Sequence, residues 1–271
     1  MNPRLATAIV NGLLIGAAVI ALLPLAWMLS VSLMAPGEAS SFPPFLPGEP
    51  RLDNYESLFA RAGTGRYLAN SLLVAGTITV LSVVLNTMAG YAFAKLRFAG
   101  RDRLFTALVG ALVIPAEVAM LPLFLLLKPL GLVNSYGGVI VPAMATIFGI
   151  FLVRQYARSI PDELLEAARI DGAGEARIFV VIVLPLLKPV LVTLIFTFLG
   201  SWNDFMWPLI VLADQRYFTL PVALAALSGE HVQDSELMMA GSVVTVAPVL
   251  LLFLALQRYY LRGLLLGSIK G

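Results

Sequence analysis

The sequence predicts an all-α, polytopic membrane protein with six transmembrane helices. Three observations carry that prediction. Hydrophobic residues make up 59% of the 271-residue chain and charged residues only 13%, against about 45–50% and about 25% in a soluble domain. Mean hydropathy is +0.91. Six apolar segments reach or approach the roughly 20 residues that a helix needs to cross a hydrocarbon core. They are 5–33, 70–93, 104–127, 135–153, 190–212 and 237–257, and together they read as one membrane domain covering 1–271.

The first segment follows the start MNPR, which looks like a signal-peptide n-region. Its apolar run is far longer than an h-region and has no small-residue cleavage site, so it reads as a retained anchor. Residues 35–69 are rich in turn formers (PGE, then FPPFLPGEP) and predict an extended loop with a short surface helix near 54–59. The second span carries Asn86. The third carries Glu117 between Pro115 and Pro122. The fourth is the shortest and contains Pro142. The fifth holds Trp202, Asn203, Asp204, Trp207 and Pro208, and the sixth Pro248. Each proline removes a backbone donor. In lipid such breaks survive only where neighbouring protein or water satisfies the freed carbonyls, which fits a packed bundle or a path that bends. Residues 213–236 form a polar connector in which Asp214, Glu230, His231, Gln233 and Asp234 are available for contacts.

Orientation follows from the basic residues. With the N-terminus inside, 13 of the 18 lysines and arginines fall on the cytoplasmic side, among them Lys95, Arg97, Arg101 and Arg103, and 5 on the other. The positive-inside rule then places both termini in the cytoplasm. The longest cytoplasmic loop is 157–188. In it SIPD, Ser159 to Asp162, has the pattern of a capping box. Asp162, Glu163 and Glu166 crowd the first turns, where the helix dipole favours negative charge. Asp162, Glu166 and Arg169 share one face; Ile160, Leu164 and Ala168 share another. The helix stops at Asp171-Gly172, and a second begins at Glu175 and turns apolar before Pro185. Ala167 and Ala168 permit close approach of another surface, which is either the protein's own bundle or a partner.

Several function classes are excluded. The chain has no cysteine and a single histidine, His231, so disulfides, thiolate chemistry and a multi-histidine metal site are ruled out. A net charge of +2 does not indicate nucleic acid. A diphosphate-handling membrane enzyme needs clustered acids for magnesium, yet the position four beyond Asp204 is Pro208. A secondary transporter would show inverted repeats with paired discontinuous helices, which six spans and one amphipathic loop fit poorly. Glu117 and Asp204 are the acids inside spans, where an ionisable group is costly and faces the bundle interior or water. With Asn86, Trp202 and Asn203 they read either as a polar, aromatic lining for a sugar or as helix-to-helix hydrogen bonds that lock the bundle.

The loop carries a resemblance. Glu166-Ala167-Ala168, three residues, Gly172, nine residues, Ile182, one residue, then Leu184-Pro185 resembles the EAA loop of ABC importer permeases at every position. GSWNDFMWPLIVL (200–212), FTLPVAL (218–224) and the tail LQRYYLRGLLLGSIKG (256–271) are similar to carbohydrate permeases of the maltose-system type, in particular the smaller, six-span subunit. The resemblance is dense from Asn70 to Gly271 and loose before it. It implies a bacterial inner-membrane permease in which 157–188 forms a coupling helix, with Glu166, Ala167, Ala168 and Gly172 against a cytoplasmic ATPase. It implies further partners: a second permease, two copies of the ATPase, and an extracytoplasmic solute-binding protein, all working in membrane lipid. The chain has no GxxxxGK[ST]. No cofactor is therefore expected in it, ATP and magnesium being bound by the ATPase. The implied cargo is a sugar or oligosaccharide, with glycerol phosphate or a polyol as the alternative.

Overall fold

A computed structural model describes residues 3–39, 45–60, 63–187, 190–230 and 234–268. Among these there are helices and no strands. In chain order they are α1 (Pro3–Ser32), α2 (Asp53–Ala60), α3 (Thr64–Lys95), α4 (Arg101–Ala111), α5 (Ala116–Leu127), α6 (Tyr136–Ala143) and α7 (Ile147–Ala157). Then come α8 (Asp162–Ile170), α9 (Glu175–Ile178), a π-helical stretch Phe179–Val183, and α10 (Leu184–Leu186). The last are α11 (Val190–Trp202), α12 (Met206–Val211), α13 (Leu220–Glu230) and α14 (Ser235–Ser268). Lys188 and His231 lie outside the described residues.

Four of these helical stretches are long and apolar enough to cross a membrane: Thr7–Ser32, Thr64–Lys95, Tyr136–Ala157 and Ser235–Ala255. A fifth appears if α4 and α5 are taken together, but they are bent by 106° at their junction. The expected third span is therefore broken, not continuous. Its break lies at Leu112–Pro115, where Pro115 stands in extended geometry at the N-cap of α5. The expected fifth span is also interrupted, at Asn203–Phe205 between α11 and α12. In the fourth, the chain opens after Pro142 and restarts when Thr146 caps α7 by accepting from Gly149 N at 3.1 Å.

The chain divides into two compact units. In the first, residues 1–66 with 223–249, most of α1 has its side chains exposed, as with Leu13 at 69% and Ile20 at 73%. Its end is buried at Ser30, Val31 and Ser32, as are Met34 just beyond it and Leu58 of α2. There Asn54 donates to Ser32 O (3.0 Å) and Met34 O (2.8 Å), satisfying carbonyls that a helix end leaves open. Glu38 accepts from Ala35 N and Gly48 N at 2.8 Å each, which folds the connector back on itself.

The second unit, residues 67–222 with 250–271, holds two cores. One gathers Val74 and Ile78 of α3 with Leu127, Val139, Trp207, Val211 and Leu212. The other gathers Tyr91 of α3, Val153 and Ala157 of α7, Ile160, Leu165 of α8, and Ile178, Val183 and Leu187. The α3–α7 crossing is close because Gly90 has no side chain: a Cβ there would stand 2.6 Å from Val153 Cβ and 2.9 Å from Arg154 N.

Candidate functional site

Helix α8 begins at Asp162 behind Pro161, and no side chain caps it. The expected capping role of Ser159 is not realised, because its hydroxyl instead donates to Tyr156 O at 2.7 Å and closes the end of α7. The inward residue of α8 is Leu165, 1% exposed; of the face shared by Ile160, Leu164 and Ala168, Ile160 is buried, Ala168 partly buried and Leu164 42% exposed. Leu165 completes the core around Tyr91 and Ile178.

The far end of α8 is a Schellman closure. Gly172 sits at φ 81°, its N–H bonds Arg169 O at 3.0 Å, and Ala173 N bonds Ala168 O at 2.9 Å. Gly172 is thus required by backbone conformation. Glu166 and Ala167 lie exposed, and Ala168 is partly buried against the core. Ile170 stands 86% exposed beside them. The helix therefore presents an acid, a methyl group and a bare isoleucine outward while Leu165 holds it from within.

Side chains away from the EAA motif fasten α8. Lys95, the last residue of α3, donates to Ile160 O and to Asp162 Oδ1, both at 2.6 Å. Its side chain is only 7% exposed, so the ammonium is committed to this joint. The Lys95 hydrogen bond and charge hold the Asp162 carboxyl below its ordinary value. Arg169 Nε donates to Glu175 Oε1 at 2.7 Å, and Tyr91 O–H donates to Glu175 Oε2 at 3.1 Å. The Arg169 hydrogen bond lowers the Glu175 carboxyl, burial opposes it, and Tyr91 adds to the lowering. A groove of about 860 Å³ runs beside this joint, lined by Lys95, Arg97, Arg101, Asp162, Glu166 and Arg169 among others. Beside α4, Arg154 lies over the Phe105 ring at 3.8 Å and donates to Phe93 O at 3.3 Å, tying α3, α4 and α7. Lys95 and Tyr91 carried no local signal in the sequence, since their partners here lie 65 to 84 positions away; Arg169 and Glu175 are only six apart.

The polar residues inside the expected spans separate. Asn86 is buried and satisfied: it donates to Ser82 Oγ (2.8 Å) and Thr146 Oγ1 (3.0 Å) and accepts from Thr146 N (2.9 Å). It clips α3 to the break before α7. Glu117 lies exposed in the first turn of α5. Trp202 is 1% exposed and stacks on Phe198 at 5.6 Å; Trp207 is buried and donates to Gly138 O at 3.1 Å. Asn203 is exposed and donates back to Leu199 O. Asp204 borders a cavity of about 300 Å³ with Thr146, Thr197 and Ser201, so Asn86 and Asp204 converge on one place through Thr146, and Glu117 does not. Among the described residues no group of three or more His, Asp or Glu could hold a metal ion.

Residues 86–265 match the family described as binding-protein-dependent transport system inner membrane component. The arabinooligosaccharides transport system permease protein AraQ of Halalkalibacterium halodurans is 43% identical over 229 residues, 84% of this chain and 82% of that one. The diacetylchitobiose uptake system permease protein NgcG of Streptomyces coelicolor is 36% identical over 262 residues, 95% and 87% of the two chains. A chain from the crystal structure of a bacterial ABC transporter that imports the acidic polysaccharide alginate superposes with a TM-score of 0.85 at 25% identity, covering 96% of this chain and 98% of that one.

Proposed function

The chain belongs to the family of binding-protein-dependent transport system inner membrane components and is an ABC importer permease subunit, not an enzyme; we propose that its cargo is a sugar or oligosaccharide and that α8 is its coupling helix. The cargo reading is supported by relatives named for arabinooligosaccharide, diacetylchitobiose and lactose transport. In this reading a solute-binding protein outside the bacterial inner membrane delivers the sugar to a path formed by this chain and a second, distinct permease. Two copies of a cytoplasmic ATPase bind ATP and magnesium. Six spans, with both termini in the cytoplasm, would put the loop 157–188 on the ATPase side, a reading that the distribution of basic residues supports.

The observation that carries the coupling role is the construction of α8. Glu166, Ala167 and Ile170 face outward, Gly172 turns the chain back, and Lys95 bolts the base to α3. A short helix with an outward apolar residue needs a partner to cover it, while a bolted base lets a push on α8 move α3 and α7 as a body. ATP-driven closure of the ATPases would shift the permease between inward-facing and outward-facing states through this contact.

The test is uptake of radiolabelled sugars into proteoliposomes holding the whole complex, with Glu166→Lys in this chain. Uptake falls at least tenfold while the variant reaches the membrane in native amount. Native uptake by Glu166→Lys removes α8 from the coupling role. A second reading, a small osmolyte as cargo, is favoured by a 36%-identical relative, the osmoprotective compounds uptake permease GgtD of Synechocystis. The same uptake assay separates the two.

A further inference from the structure

We propose that the cavity bounded by α3, α6, α7 and α11 receives one ring of a neutral sugar, so that this subunit touches its cargo itself. The proposal rests on the sugar-importer reading above and deepens it.

The site is built where two interrupted helical runs meet. Phe196, Thr197, Gly200 and Ser201 recur at the spacing of one face of α11, and Asp204 follows where that helix opens. Ile78 of α3, Ala143 at the end of α6, and Thr146 and Phe148 at the start of α7 complete the wall. The pocket is open to its surroundings, and its volume of about 300 Å³ is at the small end of ligand pockets.

Its polar groups have capacity left over. The hydroxyls of Thr197 and Ser201 make no side-chain hydrogen bond among the described residues, so each can donate and accept. Asp204 accepts one long bond, 3.4 Å from Trp207 N, which leaves most of a carboxylate's acceptor capacity for the cavity. Thr146 Oγ1 already accepts from Asn86 Nδ2 and Gly149 N, so its own proton is left to donate. The rim carries Phe148 and Phe196, 51% and 47% exposed. A carboxylate and hydroxyls with two aromatic rings among them match a sugar, which carries both hydroxyls and C–H faces.

The chemistry also excludes. Among the described residues no lysine, arginine or histidine lines the cavity. A phosphate or carboxylate solute would meet Asp204 with no counter-charge. A lipid chain would leave the carboxylate and hydroxyls without partners.

The complete complex, with its second permease, ATPase and binding protein, is assayed in proteoliposomes with radiolabelled melibiose, lactose and arabinobiose. If the native complex carries none of them, the sugar-importer reading fails and this inference falls with it. With a sugar that is carried, the readout is molecules imported per ATP hydrolysed. A Cβ on Gly200 would meet nothing within 4 Å, so the backbone admits a side chain there and Gly200→Leu places bulk at the cavity wall. That variant, and the near-isosteric pair Thr197→Val with Ser201→Ala, lower the ratio at least tenfold. An unchanged ratio overturns the proposal, whether uptake stays native or uptake and ATP hydrolysis fall together. The parallel fall is the result expected if the cavity seats a helix of the second permease.

Discussion

Single side chains in this protein divide into those that join helices and those left facing outward. Asn86 is of the first kind, since three hydrogen bonds commit it to Ser82 and Thr146. Asn86→Ala strands the Thr146 N–H and loosens the α3–α7 joint. It should cost about 1–2 kcal/mol, the upper range for polar contacts between membrane helices, seen as a lowered unfolding midpoint in detergent. An unchanged midpoint would contradict the clip. Glu175 gives a pH signature. Its native carboxyl titrates below the ordinary value of 4.5 because Arg169 and Tyr91 donate to it. A depressed folded-state value means that the stabilisation is present above the unfolded value and is lost as pH falls through the native one. Glu175→Gln should therefore be less stable than native at pH 7, with the gap in midpoint closing as pH falls below the ordinary value of 4.5 and through the lower native one. A gap that stays constant over the whole acid titration would show that the carboxylate charge is not what stabilises.

At the scale of elements, the crossing of α3 with α7 and the seating of α8 form one construction. Gly90 allows the crossing, and Gly90→Ala must displace Val153 or the backbone at Arg154. Overpacking of that kind costs about 1–3 kcal/mol. Gly76 of the same helix has nothing within 4 Å of a built Cβ, so Gly76→Ala is the control and should leave the unfolding midpoint at or above native. Equal effects at both glycines would refute the close crossing. Much of this level was legible in the sequence, because apolar runs and glycine stops are local signals. The far end of α8 fell within a residue of expectation, Gly172 marking its closure, while its N-cap position, Pro161, lies two residues past the expected Ser159 cap. The interruptions at Leu112–Pro115 and Asn203–Phe205 were marked by prolines but not fixed by them: Pro248 lies within α14 and Pro122 within α5 without breaking either. A proline frees one carbonyl, and whether the helix bends depends on what neighbouring elements supply there.

For the whole molecule, membrane class and family were legible because composition and the EAA spacing are strong signals. The attachment of Lys95 to Asp162 and of Tyr91 to Glu175 was not, because each links positions far apart in the chain through tertiary packing. The cavity at Asp204 was half visible: the acid stood out, while Thr146 and Thr197 gave no sign before the helices were assembled around them. The central claim is that force enters through α8 from a separate ATPase on the cytoplasmic side. The chain contains no cysteine, so Ala167→Cys introduces a unique label on the exposed face of that helix. Crosslinking this cysteine in membranes of cells expressing the full complex is the most direct measurement. The account predicts an adduct with the ATPase subunit and protection from membrane-impermeant maleimide in intact cells. Labelling from outside intact cells, with no ATPase adduct, would contradict it.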